Sequence, residues 1–142
     1  MAEGTRTRHG GARSFEDLWI WREARGLVAE VYVDFGDDSA AGRDFGFRSQ
    51  VQRSAISIMN NIAEGFERMT DSDFARILDI AKGSVGEVRS MYYAAEDLKY
   101  VSTEVAEERR SRCRQIGSGI SSLAKHLRPG SAPSRRRSPP PI

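Results

Sequence analysis

Few residues in this 142-residue chain could carry chemistry. Two carboxylates, Glu64 in NNIAEGF (60–66) and Glu87 in GSVGE (83–87), lie among Asn61, Gly65, Gly83 and Ser84. Paired carboxylates in a pocket can hydrolyse by general acid and base, and inward Glu-x-x-His pairs in a helical bundle hold a di-iron centre. Neither pattern is complete here. Three residues after Glu64 stands Glu67, and three after Glu87 stands Ser90. The two histidines, His9 and His126, fall in the N-terminal stretch and at a helix end. Cys113, the one cysteine, lies on an apolar stripe and reads as a small core residue. Alone it makes neither an intramolecular disulfide nor a zinc cluster. GSVG falls inside a helix rather than at a strand-to-helix turn, so it is no phosphate loop.

The expectation is therefore a non-enzyme without metal, cofactor or small-molecule substrate. Ser and Asn are poor mid-helix residues, and each Gly there costs about 1 kcal/mol. Two segments that both give up helix propensity for small polar residues are expected to touch. Asn61, Glu64, Gly65, Gly83, Ser84 and Glu87 are read as one structural polar cluster, hydrogen-bonded between the second and third helices. The competing reading of the stripe Gln50, Ser54, Ser57, Asn61, Glu64, Arg68 is a solvated strip between two apolar ones.

Those residues must be positioned by helices, because no segment alternates with period two long enough to suggest a sheet. The first helix is expected over Phe15–Phe35, opened by a Ser14/Asp17 capping box, with Trp21, Ala24, Val28, Val31 and Phe35 as its apolar stripe. The second spans Phe47–Arg68 and carries two stripes: Val51, Ala55, Ile58, Ile62, and Gln52, Ile56, Met59, Ala63, Phe66. The third spans Asp71–Leu98, opened by Thr70 with Asp73. It carries an unbroken seam of Phe74, Leu78, Ala81, Val85, Val88, Tyr92 and Ala95. The fourth spans Thr103–Leu127, with Cys113, Ile116, Ile120, Leu123 and Leu127. Four helices with short connections predict an all-α, antiparallel up-down four-helix bundle. Apolar cover on the second helix, and Ile80, Gly83, Gly86 and Tyr93 on the outer face of the third, exceed what a lone bundle buries, so a homo-oligomer is expected. Trp19, Ile20 and Trp21 cannot all face one core.

Composition agrees: 39% hydrophobic and 30% charged residues suit a soluble domain. No run approaches the ~18 apolar residues of a spanning helix, and the N-terminus has no apolar signal core, so a cytoplasmic place is expected. The net charge is +2, but it is unevenly spread. Residues 1–14 hold three arginines against one glutamate, and 128–142 hold four arginines and no acid, which leaves −4 over 15–127. Residues 1–13 are expected to be a disordered basic tail, 14–127 the folded domain, and 128–142 a disordered Arg/Pro/Ser-rich tail.

Four blocks together resemble one family, the small bacterial four-helix bundle proteins called 23S rRNA intervening-sequence proteins. FEDLWIWREA (15–24) resembles its opening. SQVQRSAISIMNNIAEGFER (49–68) resembles its most diagnostic block, with Gln52 where the family often has a basic residue. DFARILDIAKGSVGE (73–87) resembles the block that follows, and the Tyr-bearing end of the third helix completes the set. The resemblance spans about residues 14–127. It implies a ring-like homopentamer and kinship with the accessory proteins of diversity-generating retroelements, pentamers whose basic surface engages a reverse transcriptase and nucleic acid. It brings no catalytic residues, and the family's name refers to a gene location inside rRNA genes.

Two functions follow as expectations. The first is an oligomeric scaffold that binds RNA or DNA, or a nucleic-acid enzyme such as a reverse transcriptase, through Arg48, Arg53 and Arg68 and the tail residues Arg135, Arg136 and Arg137. The second is a protein-interaction adaptor with no nucleic-acid role.

Overall fold

A computed structural model describes residues 9–128. It contains four long helices, α1 (Trp19–Asp34), α2 (Phe45–Phe66), α3 (Asp71–Asp97) and α4 (Thr103–Leu127), and no strand among the described residues. α2 packs on α1 and α3, and α4 packs on α3 and α1. The four enclose one core.

Side chains set the starts of three helices. Thr70 Oγ1 accepts the Asp73 N–H at 3.1 Å, and Ser102 Oγ accepts the Val105 N–H at 3.1 Å. Asp44 accepts the Phe47 N–H at 3.2 Å and the Tyr100 hydroxyl at 2.6 Å. That hydroxyl, then the amide, holds the Asp44 carboxyl below its ordinary range. The start of α1 departs from expectation. Asp17 does accept the Ser14 N–H, at 3.2 Å, but the motif closes only a 3-10 turn, Phe15–Asp17. Leu18 then turns extended, and α1 begins at Trp19. The break has a packing reason: positions i and i+2 of a helix lie about 200° apart. Extended backbone at Leu18 lets Leu18 and Ile20 both enter the core.

The α3 seam is buried at every expected position, as is the stripe Val51, Ala55, Ile58, Ile62. On α4 all but half-buried Leu123 are buried. The α1 stripe needs correcting by one position. Ile20 and Leu27, not Trp21 and Val28, join Ala24, Val31 and Phe35 in the core. Trp21 and Val28 pack at its edge. The second α2 stripe is largely peripheral, with only Phe66 buried.

Two residues expected in the tails, His9 and Arg128, make contacts with the helices. His9, placed by sequence in a disordered tail, is buried. Its ring bridges the Arg68 carbonyl at 2.8 Å and the Asp71 carboxylate, and it meets Phe74 and Phe66 at centroid distances of 4.9 and 5.5 Å. His9 and Ala12 therefore pack against the helical core. The cause is length: α1 has 16 residues and α2 has 22, about 24 Å against 33 Å, and the N-terminal segment covers core that α1 does not reach. At the other end Arg128 pairs with Asp79 across α3 and α4. Residues 1–8 and 129–142, with Arg135, Arg136 and Arg137, lie outside the described residues.

Several large apolar side chains remain outside the core. Val33 is 78% exposed, Phe45 70%, Met69 88% and Ile80 50%. Of the consecutive Trp19, Ile20 and Trp21, Trp19 is the one turned outward, 45% exposed.

Candidate functional site

The face where α2 meets α3 carries three polar steps. Ser54 Oγ donates to Glu87 Oε1 at 2.8 Å, the Ser57 and Ser84 hydroxyls lie 2.9 Å apart, and Asn61 Nδ2 donates to the Ser57 carbonyl at 2.8 Å and to its hydroxyl at 2.9 Å. Ser54 is buried, whereas Glu87 is exposed. The cluster floors an open groove whose rim includes Gln50 and Arg53. Serine beside carboxylate, with no histidine and no convergent backbone N–H groups, offers hydrogen bonds and no activated nucleophile. The structure places Glu87 against Ser54 and Ser84 against Ser57, while the bonds of Asn61 stay within α2, on Ser57.

Glu64 and Gly83 are not in that cluster. Glu64 points to solvent and pairs with Arg68 one turn on, at 3.0 Å; at that position the polar stripe has rotated past α3. Glu64→Ala is therefore expected to cost no more than about 0.5 kcal/mol, against the 1–3 kcal/mol of an orphaned buried partner. A urea melt checks this, and a loss above about 2 kcal/mol would return Glu64 to the interior. Gly65 does mark close approach: a Cβ there would lie 2.8 Å from Phe74 Cδ1 and 3.3 Å from Ile77 Cβ. Gly83, expected at the same contact, is exposed, and a Cβ there would meet nothing. No neighbour in the bundle requires its small size.

The expected basic residues of α2 divide. Arg48 is engaged within the fold. Its guanidinium donates to the Phe35 carbonyl at 2.8 Å, the Gly42 carbonyl at 2.9 Å and Asp37 at 2.6 Å. It binds the α1–α2 loop through three of its five N–H donors. Arg68 pairs with Glu64, and its carbonyl accepts from His9. Arg53 is exposed on the groove rim.

The most concentrated electrostatics lie elsewhere, unforeseen in sequence. Asp34, at the end of α1, accepts the Tyr92 hydroxyl at 2.6 Å and two bonds from Arg109, at 2.8 and 3.1 Å. Arg109 also approaches Glu30 at 3.4 Å. Arg112 ties Glu30 at 2.8 Å to Glu23 at 3.2 Å. Glu30 Oε1 is buried without a hydrogen-bond partner among the described residues. Burial first, then Asp34, pushes the Tyr92 hydroxyl far above its ordinary pKa. A signal existed: Asp34 occupies the stripe position after Leu27 and Val31, where an apolar residue is due.

Burial also pushes the Cys113 thiol up to about 12. The thiolate is the reacting species. The native thiol is therefore expected to stay unlabelled by iodoacetamide at pH 8 until denaturant is added, as mass spectrometry would show. Rapid native labelling would refute its place in the core.

No group of three or more His, Cys, Asp or Glu among the described residues could hold a metal ion, and no described helix is long and apolar enough to cross a membrane. The 23S rRNA-intervening sequence protein family model matches residues 16–122. No curated relative matches the chain. Among solved structures, the chain is similar to a 1.70 Å crystal structure of a protein of unknown function from the S23 ribosomal protein family of Bacteroides thetaiotaomicron. Identity is 20%, the TM-score is 0.69, and the alignment covers 75% of this chain and 95% of that one. That likeness shows a shared fold. Neither description names an enzymatic activity. The family match spans most of the chain, from the 3-10 turn before α1 into the last turns of α4, and so the chain belongs to the 23S rRNA-intervening sequence protein family.

Proposed function

We propose that this chain is a non-enzymatic, oligomeric four-helix scaffold of the cytoplasm. It binds RNA or DNA, or an enzyme that works on nucleic acid, such as a reverse transcriptase. One contrast carries the reading. The polar groups that the fold gathers, from the Ser54–Glu87 step to the Asp34–Arg109 pair, are used in joining helices, whereas exposed apolar residues and uncompensated cations face outward. Such a molecule is built to be bound rather than to react. The names of the family and of the structural relative, which mention rRNA and ribosomal protein, add support. The pairs Ser54–Glu87 and Ser57–Ser84, and the approach of Gly65 to Phe74, support an antiparallel up-down course. We read the assembly as a homopentamer. Val33, Phe45 and Ile80 are candidates for cover in it.

The test combines two measurements. Sedimentation equilibrium at micromolar concentration is expected to give a pentamer, and a monomer would overturn the scaffold. Titration of labelled RNA and DNA at two salt concentrations is expected to show binding that weakens steeply with salt. Removing residues 129–142 takes away Arg135, Arg136 and Arg137 and is expected to weaken both and flatten the salt dependence, multiplied by repetition around the ring. The charge of −4 over residues 15–127 favours a second reading, a protein-interaction adaptor. Absence of binding to either nucleic acid would select it.

A further inference from the structure

Cations cluster at one place on the described surface without matching acids. The shallow groove between α3 and α4 is floored by Val85 and Cys113 and kept open by Gly86 and Gly117. Lys82, Arg89 and Arg114 stand along it, all exposed. None of the three makes an ion pair among the described residues, and no carboxylate lines the groove. Three of the neighbouring acids are engaged elsewhere. Asp79 is held by Arg128 beyond one end, Glu96 by Arg110 at 2.9 Å beyond the other, and Glu87 turns to Ser54 of α2. Arg89 and Arg114 lie near enough to the Cys113 thiol to act on it electrostatically, against the larger effect of burial and a smaller opposing one from Glu30, which Arg112 holds at 2.8 Å. Their fields therefore meet at the groove floor. Three like charges left together on a fold that is acidic over 15–127 repel one another until an anion enters.

Spacing narrows the anion. Lys82 and Arg89 are two turns apart on one face of α3, about 10 Å, which spans about three nucleotides of a stacked strand. Arg114 faces them from α4. One turn beyond Arg89 stands Tyr93, 53% exposed, with the Arg110 guanidinium 4.0 Å from its ring centre. A basic groove that ends at an exposed aromatic suits single strands: the cations follow phosphates and the ring stacks an unpaired base, which a duplex keeps inside.

We propose that the α3–α4 groove binds single-stranded nucleic acid, with phosphates on Lys82, Arg89 and Arg114 and a base against Tyr93. The proposal rests on the nucleic-acid reading above and gives it a location that the expected α2 arginines do not.

Fluorescence anisotropy with labelled 20-nucleotide oligo-U and oligo-dT, over a salt series, tests it on the full chain. The variant K82Q/R89Q/R114Q is compared with R13Q/R43Q/K99Q, which removes the same charge elsewhere, with K82R/R89K/R114K, which keeps the charge, and with Y93A. The groove variant is expected to lose on the order of tenfold or more in affinity, and its log–log salt slope should fall by about 2, at about 0.7 per phosphate. Y93A is expected to lose about tenfold with its slope unchanged. The charge-keeping variant should bind as wild type does, and the displaced-charge control should keep most of its affinity. If wild type binds and the groove variant binds equally well, the groove assignment falls and the nucleic-acid reading stands. If wild type binds neither oligonucleotide, both fall. If the groove variant changes the sedimenting species and leaves nucleic-acid affinity intact, the groove is a contact between copies and the proposal is overturned.

Discussion

Asp34→Ala is expected to destabilise the protein by about 3–5 kcal/mol, the usual cost of removing one partner from a buried ion pair. The Asp34 side chain is 8% exposed and that of Arg109 12%. The carboxylate is the acceptor for the Tyr92 hydroxyl and for two guanidinium bonds. Truncation leaves a buried cation with Glu30 as its nearest remaining interior acid, at 3.4 Å, and a buried phenol with no acceptor. Tyr92→Phe separates the parts. It removes only the hydroxyl and leaves the Asp34–Arg109 pair standing, so it is expected to cost about 0.5–1.5 kcal/mol. Urea denaturation of the two variants and of the double variant gives the coupling directly. A loss under 1 kcal/mol for Asp34→Ala would mean that solvent reaches the pair and that it contributes little.

Gly65→Leu is expected to cost about 1–3 kcal/mol by overpacking, although leucine is the better helix former by nearly 1 kcal/mol. The ideal Cβ position already lies 2.8 Å from the Phe74 ring. That ring cannot simply swing away, because His9 and Phe66 pack against it at 4.9 and 5.9 Å. Larger side chains must therefore push α2 and α3 apart. The reference is Gly83→Ala, where the new methyl meets nothing. There the propensity gain stands alone and stability is expected to rise by about 1 kcal/mol. Opposite signs for two glycines of adjacent helices would establish that only Gly65 is a packing contact. Equal effects would refute it.

How far these features could be read in sequence depended on what the signal measures. The α3 seam was legible throughout, because one apolar residue every third or fourth position fixes a single buried face. The α1 stripe slipped by one position. Trp19-Ile20-Trp21 offers two aromatic candidates, and the smaller Ile20 is the buried one, since tryptophan is seldom wholly enclosed. The polar stripe of α2 meets α3 at Ser54 and Ser57, whereas at Glu64 it faces solvent and the neighbouring Gly65 and Phe66 carry the contact with α3. Arg48 was legible as a charge. Its acceptors are loop carbonyls, which composition does not display. Asp34 and Arg109 stand 75 residues apart, and no local pattern couples them.

The docking of His9 has a kinetic meaning. It joins positions 62 residues apart in the chain, and it belongs to an irregular segment of two 3-10 turns instead of a cooperative helix. Such a closure repays its loop entropy only after α2 and α3 have paired. The N-terminal segment should therefore be the last part of the chain to lock on folding and the first to open. Amides of residues 9–18 should exchange with solvent long before those of α3, while the four helices stay assembled.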